Sequence, residues 1–246
     1  MDFTLEELSM AAWPSLATIL YDGWVIRLSD GYGNRGNSVN PIYPSKIDLE
    51  EKIIYCDDFF ARHNLPATYK LAECEEQARL EKRLDDLDYR KINETSIQTC
   101  RMDSMTGKKH EGIVIKEDFD SFWTDSVIAY NKIEEKYVPV FKAILGNIAM
   151  EKIVIRKETE GVTAGCGYAV IGRGYAGIFD IVVREDLRGK GYGREIVETL
   201  LWEAKKRGAE KSYLQVMLNN QAALHLYKKL GYREEYRYWY RKKQVK

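Results

Sequence analysis

The chain has 246 residues, 38 Lys plus Arg against 38 Asp plus Glu, 45% hydrophobic and 31% charged. This composition describes a globular chain with room for one large domain or two small ones, and it excludes disorder as the main state. A net charge of zero supplies no overall pull toward nucleic acid or anionic membrane, so neither is expected as a partner.

In chain order, Leu5, Leu8, Ala12, Leu16 and Ile19 fall near one helical face and predict a helix over residues 5–20. Gly23 to Leu28 reads as a strand, Gly31 to Asn37 as a loop, and Ser38-Val39 as a short strand. Pro41 and Pro44 break the chain. Ser45-x-x-Asp48 has the form of a capping box for a helix over about 48–63, with Leu49, Ile53, Cys56 and Phe60 as its stripe. A strand (about 67–72), a charged helix (about 75–89) and a strand (about 93–101) follow. Met105 to Gly112 is polar, basic and glycine-containing, and reads as a linker.

Beyond it, helices are predicted at roughly 118–131 and 134–149, with strands at roughly 151–157, 163–172 and 176–184. Ile196, Val197, Leu200, Leu201 and Ala204 form the stripe of a helix over about 191–207, closed by Gly208. A strand (about 211–217), a helix (about 220–230) and a strand (about 233–241) complete the order. Segments 1–108 and 109–246 share the order strand, loop, helix, strand, helix, strand, which reads as a degenerate duplication in an α/β (α+β) chain. The alternative is one α/β domain with a long N-terminal extension.

Cys56, Cys74, Cys100 and Cys166 are scattered, with no Cys-x-x-Cys, and His63, His110 and His225 are not at ligand spacing. Neither a metal site nor a disulfide framework is expected. No charged-then-apolar leader and no long apolar run is present, so a cytoplasmic protein is expected, away from membranes.

The strongest signal is Arg188-Gly189-Lys190-Gly191-Tyr192-Gly193, between the β-branched run Ile181-Val182-Val183 and a helix. A glycine-rich turn before a helix presents bare N–H groups at the positive end of the helix dipole, which is an anion cradle. Arg188, Lys190 and Arg194 add charge around it. A Walker loop is ruled out, since no Gly-Lys-Ser/Thr is present. Gly-x-Gly-x-Gly also lacks the spacing of a dinucleotide fingerprint. Alternation predicts that Phe179, Ile181 and Val183 share one face of their strand, and Ile178, Asp180 and Val182 the other. Downstream, Tyr213-Leu214-Gln215-Val216 precedes Asn220-x-x-Ala223-x-x-Leu226-Tyr227-x-x-x-Gly231-Tyr232. Asn220 and Tyr227 lie two helical turns apart, near one face.

These two halves of a signature, in this order, resemble the GCN5-related N-acetyltransferase (GNAT) family over residues 150–235, and more loosely over 115–150. Trp13-Pro14, Gly23-Trp24 and Arg35-x-Asn37-Ser38-Val39 make the N-terminal stretch similar to a tandem subgroup, in which a worn GNAT-like half precedes a working one. The resemblance implies the GNAT fold in two tandem halves, with a mixed, mostly antiparallel twisted sheet flanked by helices.

It also implies an N-acetyltransferase that moves an acyl group, most simply acetyl, from acyl-CoA to a primary amine by direct attack in a ternary complex. Acetyl-CoA or another short acyl-CoA is the implied co-substrate, with no metal. The backbone of Ile181, Val182 and Val183 would align pantetheine and polarise the thioester. Arg188, Gly189, Lys190, Gly191, Tyr192, Gly193 and Arg194 would hold the diphosphate, with Asn220 and Tyr227 completing the donor site. Tyr227 would protonate the departing thiolate. Asp180 is the carboxylate candidate for the base, with an ammonium anchor or salt bridge as its other reading. A water chain is the alternative base, since Gln215 cannot serve.

Tyr236, Tyr238 and Tyr240 could line an acceptor cleft between the halves, where the acceptor is a small-molecule or protein amine. The proline-bearing loop Pro41 to Ser45 should hold no diphosphate. A monomer or homodimer is expected. A non-catalytic acyl-CoA sensor or scaffold is the rival to the enzyme.

Overall fold

The computed structural model describes residues 3–103 and 107–244, so Met105 and Thr106 of the expected linker lie outside the described residues. The elements in chain order are α1 (Thr4–Ala12), β1 (Ala17–Tyr21), β2 (Trp24–Leu28), α2 (Gly33–Gly36), β3 (Ser38–Pro41), α3 (Leu49–Arg62), β4 (Thr68–Ala72), α4 (Ala78–Asp86) and β5 (Arg90–Arg101). Then come β6 (Ile113–Lys116), α5 (Ser121–Tyr130), α6 (Val138–Gly146), β7 (Glu151–Thr159), β8 (Val162–Gly172), β9 (Tyr175–Val183), α7 (Tyr192–Lys206), β10 (Lys211–Met217), α8 (Gln221–Lys229) and β11 (Arg233–Lys242). Among the described residues no helix is long and apolar enough to cross a membrane.

The chain forms two compact units, one of residues 1–96 with 236–246 and one of residues 97–235. The divisions fall inside β5 and β11. The boundary expected at 108/109 lies within the second unit.

In the first unit the strand order is β1-β2-β3-β4-β11. Pairing is antiparallel except between β3 and β4, which run parallel with Val39 opposite Tyr69. The long first helix expected from the sequence is corrected here: α1 ends at Ala12, and Ala17 to Tyr21 turns back on β2 as a hairpin. The cause is the Asp22-Gly23 pair, both at positive φ (42° and 80°), the backbone a two-residue hairpin turn demands. Helix α3 starts on Asp48, whose side chain accepts from Glu50 N, and Ser45 instead donates to Asp22 O at 2.8 Å. Ile26, Val39, Cys56, Phe60, Tyr69, Leu71 and Leu84 form the core.

In the second unit the order is β10-β9-β8-β7-β6. All pairs are antiparallel except β9 and β10. Strand β6 occupies a stretch with no predicted element, pairing through Ile113 to Lys116 with β7. Its four residues are too few for periodicity to speak. Helix α7 buries the expected stripe Ile196, Val197, Leu200, Leu201 and Ala204. It ends on Gly208 at φ +86°, with Ala209 N donating to Ala204 O and Gly208 N to Lys205 O. That pair of bonds is a Schellman closure, and it needs the left-handed residue. The core joins this stripe to Ile153, Ile155, Ile178, Leu214, Val216, Tyr227 and Tyr232, with Cys100 of β5 and Met102 just after it. On the other face of the sheet, Trp123 of α5, Tyr168, Phe179 and Tyr213 pack ring to ring at centroid separations of 5.4–6.0 Å.

Candidate active site

The site is built where two parallel strands part. Strands β9 and β10 pair from Tyr175/Lys211 to Ile178/Leu214. Beyond that register β9 continues to Val183 and β10 to Met217. In that register Ile181 to Val183 lie past the last residue of β9 that is opposite β10.

The other edge of β9 carries a bulge. Cys166 faces Val182 and Tyr168 faces Phe179, so Gly167 alone faces both Asp180 and Ile181. Asp180 takes φ +47° at this point. An extra residue in one strand reverses the side-chain alternation beyond it. The alternation predicted for this strand is thereby corrected. Ile178 and Ile181 both join the core under α7 and α8, Val183 reaches the same side beside Gly193, and Phe179 joins the opposite aromatic face. Asp180 sits at the apex of the bulge, partly exposed.

From Val183 the chain enters the glycine turn. Arg188 is extended, and its Nε lies 3.3 Å from Val183 O. Gly189 and Gly191 stand at φ +79° and +91° with open space where a Cβ would project. Left-handed backbone costs a side-chain-bearing residue about 1–2 kcal/mol, which accounts for both glycines. Gly191 caps α7 with no side-chain hydrogen bond, so the helix start is closed by no side chain of its own. Arg188, Gly189, Lys190 and Gly191 are exposed.

Gly193 differs. It is already helical, and a Cβ there would sit at ordinary distances of 3.6 Å from Val183 Cγ2 and 3.9 Å from Leu226 Cδ2. It marks the point where β9, α7 and α8 meet. Charge near the turn is partly committed: Arg194 Nε pairs with Glu198 at 2.7 Å, and Glu198 Oε2 also meets His110 Nε2 at 2.7 Å. Lys157, buried under α7, pairs with Glu195 at 2.7 Å and donates to Glu111 O at 2.6 Å. Tyr192 lies 5.3 Å from that ammonium. A cleft of about 750 Å³ opens beside Arg194, lined also by Leu201, Lys229, Leu230 and Gly231.

Helix α8 supplies the remaining groups. Asn220 is its N-cap, accepting from Ala223 N at 3.2 Å, and is exposed. That capping bond fixes the carboxamide at the head of α8, with its N–H₂ still able to donate. Tyr227 is 8% exposed and belongs to the core that contains Ile178, Leu214 and Val216. Burial alone pushes its phenol up to about 12, because a phenolate there would be poorly solvated. Its ring meets Tyr232 edge-on at 5.8 Å.

Tyr236, Tyr238 and Tyr240 lie in the first unit, where Tyr236 donates to Glu6 at 2.9 Å and Lys70 sits 4.0 Å over the Tyr238 ring. Tyr240 is buried.

The first unit also has a parallel pair followed by a loop and a helix, β3 to α3, and the loop is filled. The carboxylate of Asp22 accepts from Lys46 N at 2.9 Å and Ile47 N at 2.8 Å, and Lys52 Nζ lies 3.3 Å away. Gln77 then bridges the ends of the two strands, accepting from Ala72 N at 2.7 Å and donating to Pro41 O at 2.6 Å. The sequence reading missed Asp22, Gln77, Gly167 and Trp123, and only the Asp-Gly pair carried a local signal.

A family model described as probable histone acetyltransferase Rv0428c C-terminal matches residues 3–241. The uncharacterized N-acetyltransferase YobR of Bacillus subtilis (strain 168) is 26% identical over 235 residues, covering 93% of each chain. A ribosomal protein bS18-alanine N-acetyltransferase of Escherichia coli (strain K12) is 41% identical over 59 residues, 24% of this chain and 40% of that protein. In fold, the chain is similar to a GCN5-related N-acetyltransferase from Kribbella flavida, with a TM-score of 0.69 and 13% identity over 100% of this chain and 98% of that one. A tandem GNAT protein from the clavulanic acid biosynthesis pathway gives a TM-score of 0.65 at 13% identity, over 98% of this chain and 88% of that one.

Proposed function

The chain belongs to the GCN5-related N-acetyltransferase family, and from that premise we propose that its second unit transfers an acyl group, most simply acetyl, from acyl-CoA to a primary amine. The observation that carries this is the parting of β9 from β10 directly before a left-handed glycine turn at the head of a 15-residue helix. A donor with a diphosphate and an extended amide arm fits that pairing. The diphosphate meets the N–H groups of residues 189–193 and the helix dipole, with Arg188, Lys190 and Arg194 around it. The pantetheine arm takes the ladder bonds that β10 leaves unused along Ile181 to Val183. The rest of the nucleotide has the cleft beside Arg194.

In this reading the amine attacks the thioester carbonyl, whose developing negative charge is met by a backbone N–H of the bulged segment. The C–S bond breaks, and Tyr227 gives its proton to the leaving sulfur. A thiol titrates near 8.5 in water against about 12 for this phenol. The same burial that raises the phenol also raises the thiolate's proton affinity, which narrows the gap. In this reading Asp180, at the bulge apex, holds the ammonium or takes its proton. Asn220 frames the arm through its amide N–H₂.

The acceptors in the names of the relatives, a histone and a ribosomal-protein alanine, are protein amines, and a primary amine is accordingly the acceptor class proposed. The test is release of free thiol from acetyl-CoA against a panel of amines. Turnover that needs an amine supports transfer. Tight acetyl-CoA binding without thiol release from any amine would favour a sensor. Asp180→Asn should flatten the acid limb of the pH–rate profile if Asp180 is the base, or raise KM for the amine alone if it is an anchor. An Asn variant with unchanged kinetics would exclude both roles.

A further inference from the structure

Gly167 stands in the middle of β8, with no positive φ to call for glycine. A Cβ built there would run into Ile181 Cδ1 and lie 2.9 Å from Ile196 Cγ2 and 3.4 Å from Leu200 Cδ1. The space of the absent side chain is therefore the space that Ile181 fills. Ile181 is one of the two bulge residues that Gly167 alone faces. Ile196 cannot yield easily, because a β-branched side chain within a helix is held to essentially one rotamer.

The carbonyl of Gly167 is fixed as well. Trp123 Nε1 lies 3.3 Å from Gly167 O and 3.1 Å from Ile155 O. The indole is 1% exposed and anchored on α5, whose N-cap Asp120 also accepts from Trp123 N. Side chain space on one face of the sheet and an indole N–H on the other therefore hold the same residue.

We infer that Gly167 is a positioning residue: the pocket left by its missing side chain seats Ile181 and so sets the left-handed bulge that aims the amides of β9 at the thioester. This rests on the donor reading given above. A methyl at position 167 displaces Ile181, and the strand carrying it relaxes toward regular pairing. The amides beyond Asp180 then rotate away from the opening. The glycine turn, which lies after Arg188, is untouched.

The experiment compares Gly167→Ala with the wild-type chain in two measurements. One is kcat for acetyl-CoA at saturating amine. The other is the calorimetric affinity for 3′-phosphoadenosine 5′-diphosphate, which carries the diphosphate without the pantetheine arm. We expect kcat to fall about 10²-fold, the scale of an ångström-sized misplacement, with nucleotide affinity unchanged. Adding Ile181→Val to Gly167→Ala removes the Cδ1 that the new methyl meets, and should recover most of the loss. Trp123→Phe keeps a ring and deletes the indole N–H, and should show the same split in milder form. Wild-type kcat in Gly167→Ala, or a loss that Ile181→Val does not relieve, would overturn the inference. If Gly167→Ala does not fold, an unchanged kcat in Trp123→Phe overturns it. A wild-type chain that binds no nucleotide would overturn the donor reading beneath it.

Discussion

Tyr227 illustrates what one residue's surroundings add to its identity. As a free phenol it would be a mild acid, while in the core with Ile178 and Leu214 its proton is held up to about 12. It can donate throughout the neutral range and does not act as a base. Tyr227→Phe should lower kcat about 10²-fold while leaving acyl-CoA affinity in place, measured by pre-steady-state kinetics and calorimetry. No alkaline limb from this group should appear in kcat below pH 10. A limb near pH 9 that vanishes in the Phe variant would show a phenol better solvated than this burial allows. The stability linkage has the same sign. An unfolded tyrosine ionises near 10, so the contribution of the buried neutral phenol is whole below that pH and is lost as pH climbs toward 12. The glycines of the turn divide by backbone. Gly191→Val strains a left-handed position and crowds the approach of an anion, and should weaken CoA binding by at least about tenfold. Gly193→Ala should be nearly silent, because its backbone is helical and its Cβ space is ordinary. Equal losses in the two variants would remove the distinction.

At the scale of elements, those with a long period were legible and those set by distant partners were not. The stripe of α7 and the closing Gly208 could be read directly, since four turns of one pattern speak with one voice. Helix α1 was overrun because Leu16 and Ile19 continue the helical spacing by coincidence, while Asp22-Gly23 determines the hairpin. The glycine turn and the Asn220–Tyr227 helix were visible in the sequence. The bulge in β9 was not, because it is determined by the lack of a side chain on a neighbouring strand, and no window along β9 contains that information. The filled loop of the first unit has the same origin, since Asp22 comes from a hairpin far from the amides of Lys46 and Ile47. Those amides, Ile47 N foremost, hold the Asp22 carboxyl below its ordinary range. The stabilisation is present above the unfolded value near 3.9 and is lost as pH falls through the lower native one. Asp22→Ala should lower Tm at pH 7 and abolish the corresponding acid-side decline, followed by circular dichroism from pH 7 downward. A variant with wild-type Tm would mean that the carboxylate contributes nothing to the loop.

For the whole molecule, the expectation is one acyl-CoA per chain. The second unit has an open turn and parted strands, whereas in the first a carboxylate fills the loop and Gln77 bridges the strand ends. Calorimetry should give a stoichiometry near one, and two donors per chain would defeat this assignment. A fragment starting near residue 110 should be insoluble or inactive, for a reason internal to the second unit. It would lack Ile97, Cys100 and Met102, all of which are buried, and Cys100 and Met102 belong to that unit's core. A fully active, soluble fragment would show that the end of β5 is dispensable. The path of the chain through the two units also orders events on the ribosome. Residues 97–235 are contiguous and can fold as soon as they emerge. The first unit is begun earlier, yet β4, already beside β3, gains its second partner only when Tyr238 to Lys242 has been made. Pairing across so long an interval is slow. The part translated first is thus the part finished last, and during that wait the edge of β4 stands open to chaperones, or to the same strand of a neighbouring nascent chain.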